Sequence, residues 1–212
     1  MKRALLLIDI QKDFCKGGAL AVPNGDEIVP IANEMIKLFT FNNDLIIGTQ
    51  DWHPANHGSF AANHAGKKVF DLVELNGLKQ VLWPTHCVEN SIGAEFHDDL
   101  LPIPMVFCKG EDPTIDSYSG FFDNGKRNKT QLDEFLKSNN ITDLYIMGLA
   151  IDYCVKFTAV DAKELGYNVF IIADGCQGVN LNNNDVGNAV IDMSKKDIIM
   201  TNSDIIIKTL GI

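Results

Sequence analysis

Long apolar runs are missing from this sequence. No stretch approaches the ~20 residues that a helix needs to cross a bilayer. The first apolar run, 4–8, is broken by Asp9 before it reaches leader length, so neither a membrane span nor a secretory leader is expected. Positive charge is scarce as well. With 18 Lys and Arg against 28 Asp and Glu, the net charge of −10 disfavours a nucleic-acid backbone or an anionic membrane as partner. Cysteine is present but without a framework: Cys15, Cys87, Cys108, Cys154 and Cys176 are odd in number, scattered, and form no CxxC. Free thiols in a reducing cytoplasm fit that pattern better than disulfides. The chain also lacks a GxGxxG turn after its first apolar run, which a dinucleotide-binding module would want. Neither a repeat nor a linker divides it, and 212 residues at 46% hydrophobic content suit a single domain, 1–212, with a full core.

Short apolar runs are what the chain has instead. Those at 4–8, 45–48, 105–108, 144–147, 169–173 and 198–200 are too short for helices and fit strands covered on both faces. Between them lie helical patterns. Ile28, Ile31, Ala32, Met35 and Phe39 form one stripe, with Pro30 tolerated in the first turn. Residues 129–137 and 185–193 suggest two more helices, the second capped by the asparagines before it. Strands alternating with helices predict an α/β fold: a three-layer, predominantly parallel six-stranded sheet with helices on both faces. Residues 54–90 show no clear period, and so long a connection is more often functional than idle.

Asp9, Asp51, His53, Lys109, Cys154 and Asp174 all stand at or just past the ends of predicted strands. In an open parallel sheet that edge is where ligands bind. Each has a bland explanation taken alone, and Asp174 is read as structural. Cys154 follows the strand at 144–147 and the break at Gly148, and Asp152 can cap the helix whose stripe is Val155, Thr158, Ala159, Ala162 and Leu165. At that helix start the positive end of the dipole is expected to lower the thiol pKa. A buried small hydrophobe is the ordinary role of a lone intracellular cysteine; an acid and a cation on two other strand ends argue for more. Asp51-x-His53 with His57 and His86 downstream offers one carboxylate and two imidazoles, a donor set that suits zinc, iron(II) or manganese. His57 and His64 are further candidates that the sequence alone does not rank.

Four segments together resemble a known family: Asp9-Ile10-Gln11-Lys12-Asp13-Phe14, Gln50-Asp51-Trp52-His53-Pro54, Trp83-Pro84-Thr85-His86-Cys87 and Gly148-Leu149-Ala150-Ile151-Asp152-Tyr153-Cys154-Val155. In this order they are similar to the nicotinamidases (pyrazinamidases) of the isochorismatase-like cysteine hydrolases. The resemblance implies a catalytic triad of Asp9, Lys109 and Cys154, and an oxyanion hole from the backbone N–H groups of Ala150 and Cys154, with a cis Leu149–Ala150 peptide. It implies metal ligands Asp51, His53 and His86 for one divalent ion, zinc before iron or manganese. His57 matches a fourth ligand of some members. Phe14, Leu20, Trp83, Tyr118 and Tyr153 would line the substrate pocket.

The implied reaction is hydrolysis of nicotinamide, or of pyrazinamide-like analogues, through a cysteine thioester in cytoplasmic NAD salvage. A homo-oligomer stays open. Another amidase of the family, acting on an N-carbamoyl or ureido substrate, is the alternative; such enzymes usually lack the metal histidines. An isochorismatase proper would lack the cysteine.

Overall fold

The computed structural model describes residues 2–211. In chain order the elements are β1 (Lys2–Ile8), α1 (Ile28–Phe41), β2 (Leu45–Asp51), β3 (Leu72–Leu75), β4 (Leu78–Val81), β5 (Met105–Lys109) and α2 (Leu132–Ser138). They continue with β6 (Ile141–Leu149), α3 (Lys156–Glu164), β7 (Asn168–Gln177), α4 (Asp185–Ser194), β8 (Ile199–Thr201) and α5 (Ser203–Leu210). Six strands form one sheet in the order β5-β2-β1-β6-β7-β8, and every pairing in it is parallel. Ala4, Leu5, Leu6, Leu7 and Ile8 are wholly buried, as a central strand apolar on both faces requires. α1 packs with α5, and α3 packs with α4. The chain winds outward from β1 in one direction and from β6 in the other, so right-handed crossovers put these two pairs on opposite faces. The crevice of such a sheet opens where the winding reverses, here beyond the ends of β1 and β6.

Gly148 holds that crevice in shape. Its φ is +132°, and a Cβ there would meet the Ile8 carbonyl oxygen at 2.1 Å, so only glycine lets β6 end this close to β1. The next peptide, Leu149–Ala150, is cis.

Several local expectations need correction. Residues 54–90 contain a hairpin, β3–β4, turned by Asn76 and Gly77 with φ of 51° and 79°. Both angles are positive, as the favoured two-residue hairpin turn demands. Asp51 is the last residue of β2 rather than beyond it. Asp152 does not cap α3: its carboxylate accepts from the backbone N–H groups of Val179 and Asn180, tying down the loop after β7. Cys154 sits in a wide helical turn, Ile151–Val155, just ahead of α3. Asn184 precedes α4 in a left-handed conformation and caps it with no side-chain hydrogen bond. The terminal helix α5 was not expected at all; Asn202 caps it by accepting from the Ile205 N–H at 2.9 Å.

Candidate active site

Lys109 is the centre of the crevice. It ends β5, and its buried ammonium donates to Asp51 Oδ1 at 2.5 Å, to the Ser117 carbonyl at 3.0 Å and to Cys154 Sγ at 3.4 Å. Asp9 Oδ2 lies 3.0 Å from the same nitrogen. That contact is an ion pair without hydrogen-bond alignment, since Asp9 Oδ2 has no hydrogen-bond partner among the described residues. The other Asp9 oxygen accepts from Thr49 Oγ1 at 2.6 Å. Asp9, Asp51 and Cys154 bring an oxygen, an oxygen and a sulfur within 4.8 Å of one another. The sheet order explains the convergence: β1, β2, β5 and β6 are neighbours, and each delivers one of these groups.

Charge and burial set the proton affinities. Burial pushes the Asp9 carboxyl above its usual range; Lys109 opposes this and the Asp51 charge reinforces it. Burial acts on Asp51 in the same sense, but Lys109 and His53 outweigh it and hold Asp51 well below the carboxylate range. Burial would lower Lys109, yet Asp51 and Asp9 carry it well above the ordinary lysine value. The Cys154 thiol is pushed well up by burial, with Lys109 opposing. The lowering expected from a helix start is therefore overturned. Desolvation is the largest influence, and it disfavours the thiolate.

Asp51 faces two ways. Its second oxygen lies 3.7 Å from His53 Nε2 and 3.9 Å from His86 Nε2. His53 Nδ1 is 2.8 Å from the Gly110 carbonyl and His86 Nδ1 is 2.8 Å from the Pro84 carbonyl. A carbonyl only accepts, so each Nδ1 carries a proton and each Nε2 is turned inward, where it offers a lone pair once it is unprotonated. Gly110 makes this fit possible, because a Cβ there would come within 2.3 Å of His53 Cε1. One carboxylate oxygen and two imidazole lone pairs converging in a buried site are what a divalent metal requires.

The remaining histidines behave differently. His57 groups with His53 and Asp116, not with Asp51 and His86. Its Nδ1 accepts from the Ser59 N–H at 3.1 Å, and its buried Nε2 has no hydrogen-bond partner among the described residues. His64 is committed to the Gly58 carbonyl at 2.7 Å. A further grouping, Cys15, Asp26 and His97, lies away from the crevice. There His97 Nδ1 accepts from the Asp99 N–H, which leaves the proton on Nε2 facing Asp26. That is the wrong tautomer for a ligand.

A small cavity opens onto Cys154, Ala150, Asp51, His53 and His86. Phe14, Leu20, Trp83, Tyr118 and Tyr153 all line it. Trp83 meets Tyr153 edge-on at 4.9 Å, and Tyr118 OH accepts from both Trp83 Nε1 and Gln80 Nε2. Sequence reasoning missed Asp116, Val22 and Val179 in this wall. It also missed Gln11, whose side-chain amide exchanges hydrogen bonds with both the N–H and the carbonyl of Asp51. Gln11 was readable as part of the first motif; Asp116 stands in a polar stretch with no pattern to mark it.

Comparison with known proteins places this geometry. The isochorismatase domain matches residues 3–201. The nicotinamidase of Escherichia coli (strain K12) is 54% identical over 194 residues, which is 91% of each chain. A solved Acinetobacter baumanii nicotinamidase and pyrazinamidase superposes with a TM-score of 0.92 at 39% identity, over 97% of this chain and 98% of that one. The pyrazinamidase of Pyrococcus horikoshii, solved in complex with zinc, superposes with a TM-score of 0.79 at 37% identity, over 95% and 99% of the two chains.

Proposed function

This chain belongs to the isochorismatase family, and we propose that its reaction is the hydrolysis of nicotinamide to nicotinic acid and ammonia. The observation that carries the reading is the single buried ammonium of Lys109 facing Cys154, Asp9 and Asp51 at once. A carboxamide is a poor electrophile and ammonia a poor leaving group, so the nucleophile must be strong and the departing nitrogen must be protonated. Cys154 Sγ attacks the carboxamide carbon as Asp9 takes the thiol proton. A carboxylate of raised pKa is a stronger base than a free one, and so better matched to a thiol that burial has made less acidic. The N–H groups of Ala150 and Cys154 receive the oxyanion, an effect commonly worth about 3 kcal/mol per donor. Asp9 then gives its proton to the nitrogen, the C–N bond breaks, and ammonia leaves a thioester on Cys154. Water adds to the thioester as Asp9 takes one of its protons, and collapse returns the thiol and releases the acid. Lys109 stays protonated throughout and offsets the negative charge that moves between sulfur and carboxylate.

Asp51, His53 and His86 would hold a divalent ion, zinc before iron or manganese. When bound it supplies Lewis acidity toward the lone pair of a ring nitrogen. Phe14, Leu20, Trp83, Tyr118 and Tyr153 sandwich the ring and exclude water. The setting is NAD salvage in the cytoplasm; among the described residues no helix is long and apolar enough to cross a membrane. One assay tests the reading: ammonia release from nicotinamide and from an N-carbamoyl amino acid, with metal content measured on the same sample. Turnover of the second compound alone would replace nicotinamide with the ureido alternative.

A further inference from the structure

The loop after β1 carries Phe14, Leu20 and Val22 into the cavity wall, and it is fastened at Asp13. Asp13 Oδ1 accepts from the Ala19 N–H at 3.1 Å, and the Asp13 carbonyl accepts from the Leu20 N–H at 3.0 Å. The other carboxylate oxygen leaves this loop altogether and accepts from the Cys87 N–H at 2.7 Å. Cys87 is the residue after His86. It is buried, its φ of +44° is one that residues other than glycine seldom adopt, and its carbonyl accepts from the His53 N–H at 3.0 Å. The backbone of Cys87 is thus held from one side by Asp13 and from the other by His53, with His86 as its covalent neighbour. A charged acceptor binds a backbone N–H more strongly than a neutral one and is suited to hold a residue in so unfavourable a conformation.

We infer that Asp13 is a positioning residue that sets, through one carboxylate, both the placement of His86 and His53 and the cavity wall of Phe14 and Leu20. This rests on the metal assignment proposed above. The requirement for aspartate follows from the contacts. Two backbone donors approach its two oxygens, so an asparagine would turn its NH2 against one of them. Gly93 leaves room for that carboxylate, because a Cβ there would sit 2.2 Å from Asp13 Oδ2 and displace it.

The test compares zinc dissociation constants, measured on folded protein by competition with a chromogenic chelator, for the parent, Asp13→Asn, Gly93→Ala and His86→Ala. Asp13→Asn is expected to lose ~10- to 100-fold in zinc affinity, the usual cost of removing a group that orients a ligand. With zinc saturating, its KM for nicotinamide rises while kcat holds, because Asp13 touches neither the thiol nor Lys109. Gly93→Ala, which keeps the carboxylate but displaces it, should lose zinc affinity in the same direction, and it carries the test should Asp13→Asn fail to fold. A purely structural Asp13 would lower the unfolding temperature of the metal-free protein and leave zinc affinity at the parent's value; that result overturns the inference. A parent that binds zinc no better than His86→Ala overturns the metal assignment and this inference with it.

Discussion

Two halves of one sheet carry the same residue types and do different things with them. Cys154 follows β6 and Cys176 lies in β7, where its strand partner is Gly148; both are 7% exposed, so burial does not distinguish them. Asp9 directly follows β1, and Asp174 lies in the bulged part of β7. In the β7–β8 half, Cys176 donates to the Ile172 carbonyl at 3.4 Å, and burial pushes its thiol up to about 12. Asp174 accepts from the Ser203 N–H at 2.9 Å and from the Ser203 hydroxyl, which fixes the start of α5. In the β1–β6 half the thiol and the carboxylate meet Lys109 instead. A place on the carboxyl edge of a parallel sheet therefore does not make a thiol or an acid reactive. On the proposed mechanism it is the buried cation facing both of them that sets this pair apart.

The largest expected effect breaks the comparison at its thiols. Cys154→Ala should abolish ammonia release with the fold intact, while Cys176→Ala and Cys87→Ala retain most activity; turnover above background in Cys154→Ala would move the nucleophile elsewhere. Next come the acids. Asp9→Asn should lose at least the ~100-fold typical of a missing general base, read as steady-state turnover and as single-turnover acylation.

Third, alanine at His53 or His86 should cost more than the ~100-fold in metal affinity that loss of a ligand's supporting group can cost, and KM should rise more than kcat falls. Asp51→Ala should depart from these two by losing kcat as well, because its other oxygen holds Lys109. Equal kcat in all three variants would separate the metal site from the triad.

A smaller effect is a displacement along the pH axis. Lys109 opposes the upward push on the Cys154 thiol, so Lys109→Ala should move the alkylation curve of Cys154 to higher pH by about one unit or more. An unchanged curve would remove Lys109 from the triad. The smallest effect belongs to the other half of the sheet. Asp174→Ala should lower stability by roughly 1 kcal/mol, the scale of a lost helix cap, seen as a lower unfolding midpoint with ammonia release unaltered.

The central strands were legible because burial on both faces writes itself as an unbroken apolar run, as at Leu5, Leu6 and Leu7 or at Ile146 and Met147. The strand ends then located Asp9, Lys109 and Cys154. The β3–β4 hairpin was harder. Leu72 and Leu75 are not buried, so the alternation that marks a half-buried strand is weak, although Asn76-Gly77 announced the turn. The helix α5 hid behind Ile205, Ile206 and Ile207, a β-branched run that reads as strand; its cap, Asn202, was the contrary signal. Proton affinities were least legible. A helix start suggested an acidic thiol at Cys154, and only the depth of the crevice reverses the sign.

The order of β1 and β6 also bears on how the protein comes to exist. β1 lies between β2 and β6, and Ile8 pairs with both Thr49 and Gly148. During synthesis at ~5–20 residues per second, the stretch between Ile8 and Gly148 takes on the order of ten seconds to emerge. For that interval the most apolar strand of the protein can gain β2 on one side but has no partner on the other. An unpaired apolar edge of this kind is a template for association with other chains. Nascent protein stalled before β6 should therefore be held by a chaperone or aggregate, and a chain extended past residue 149 should lose that tendency.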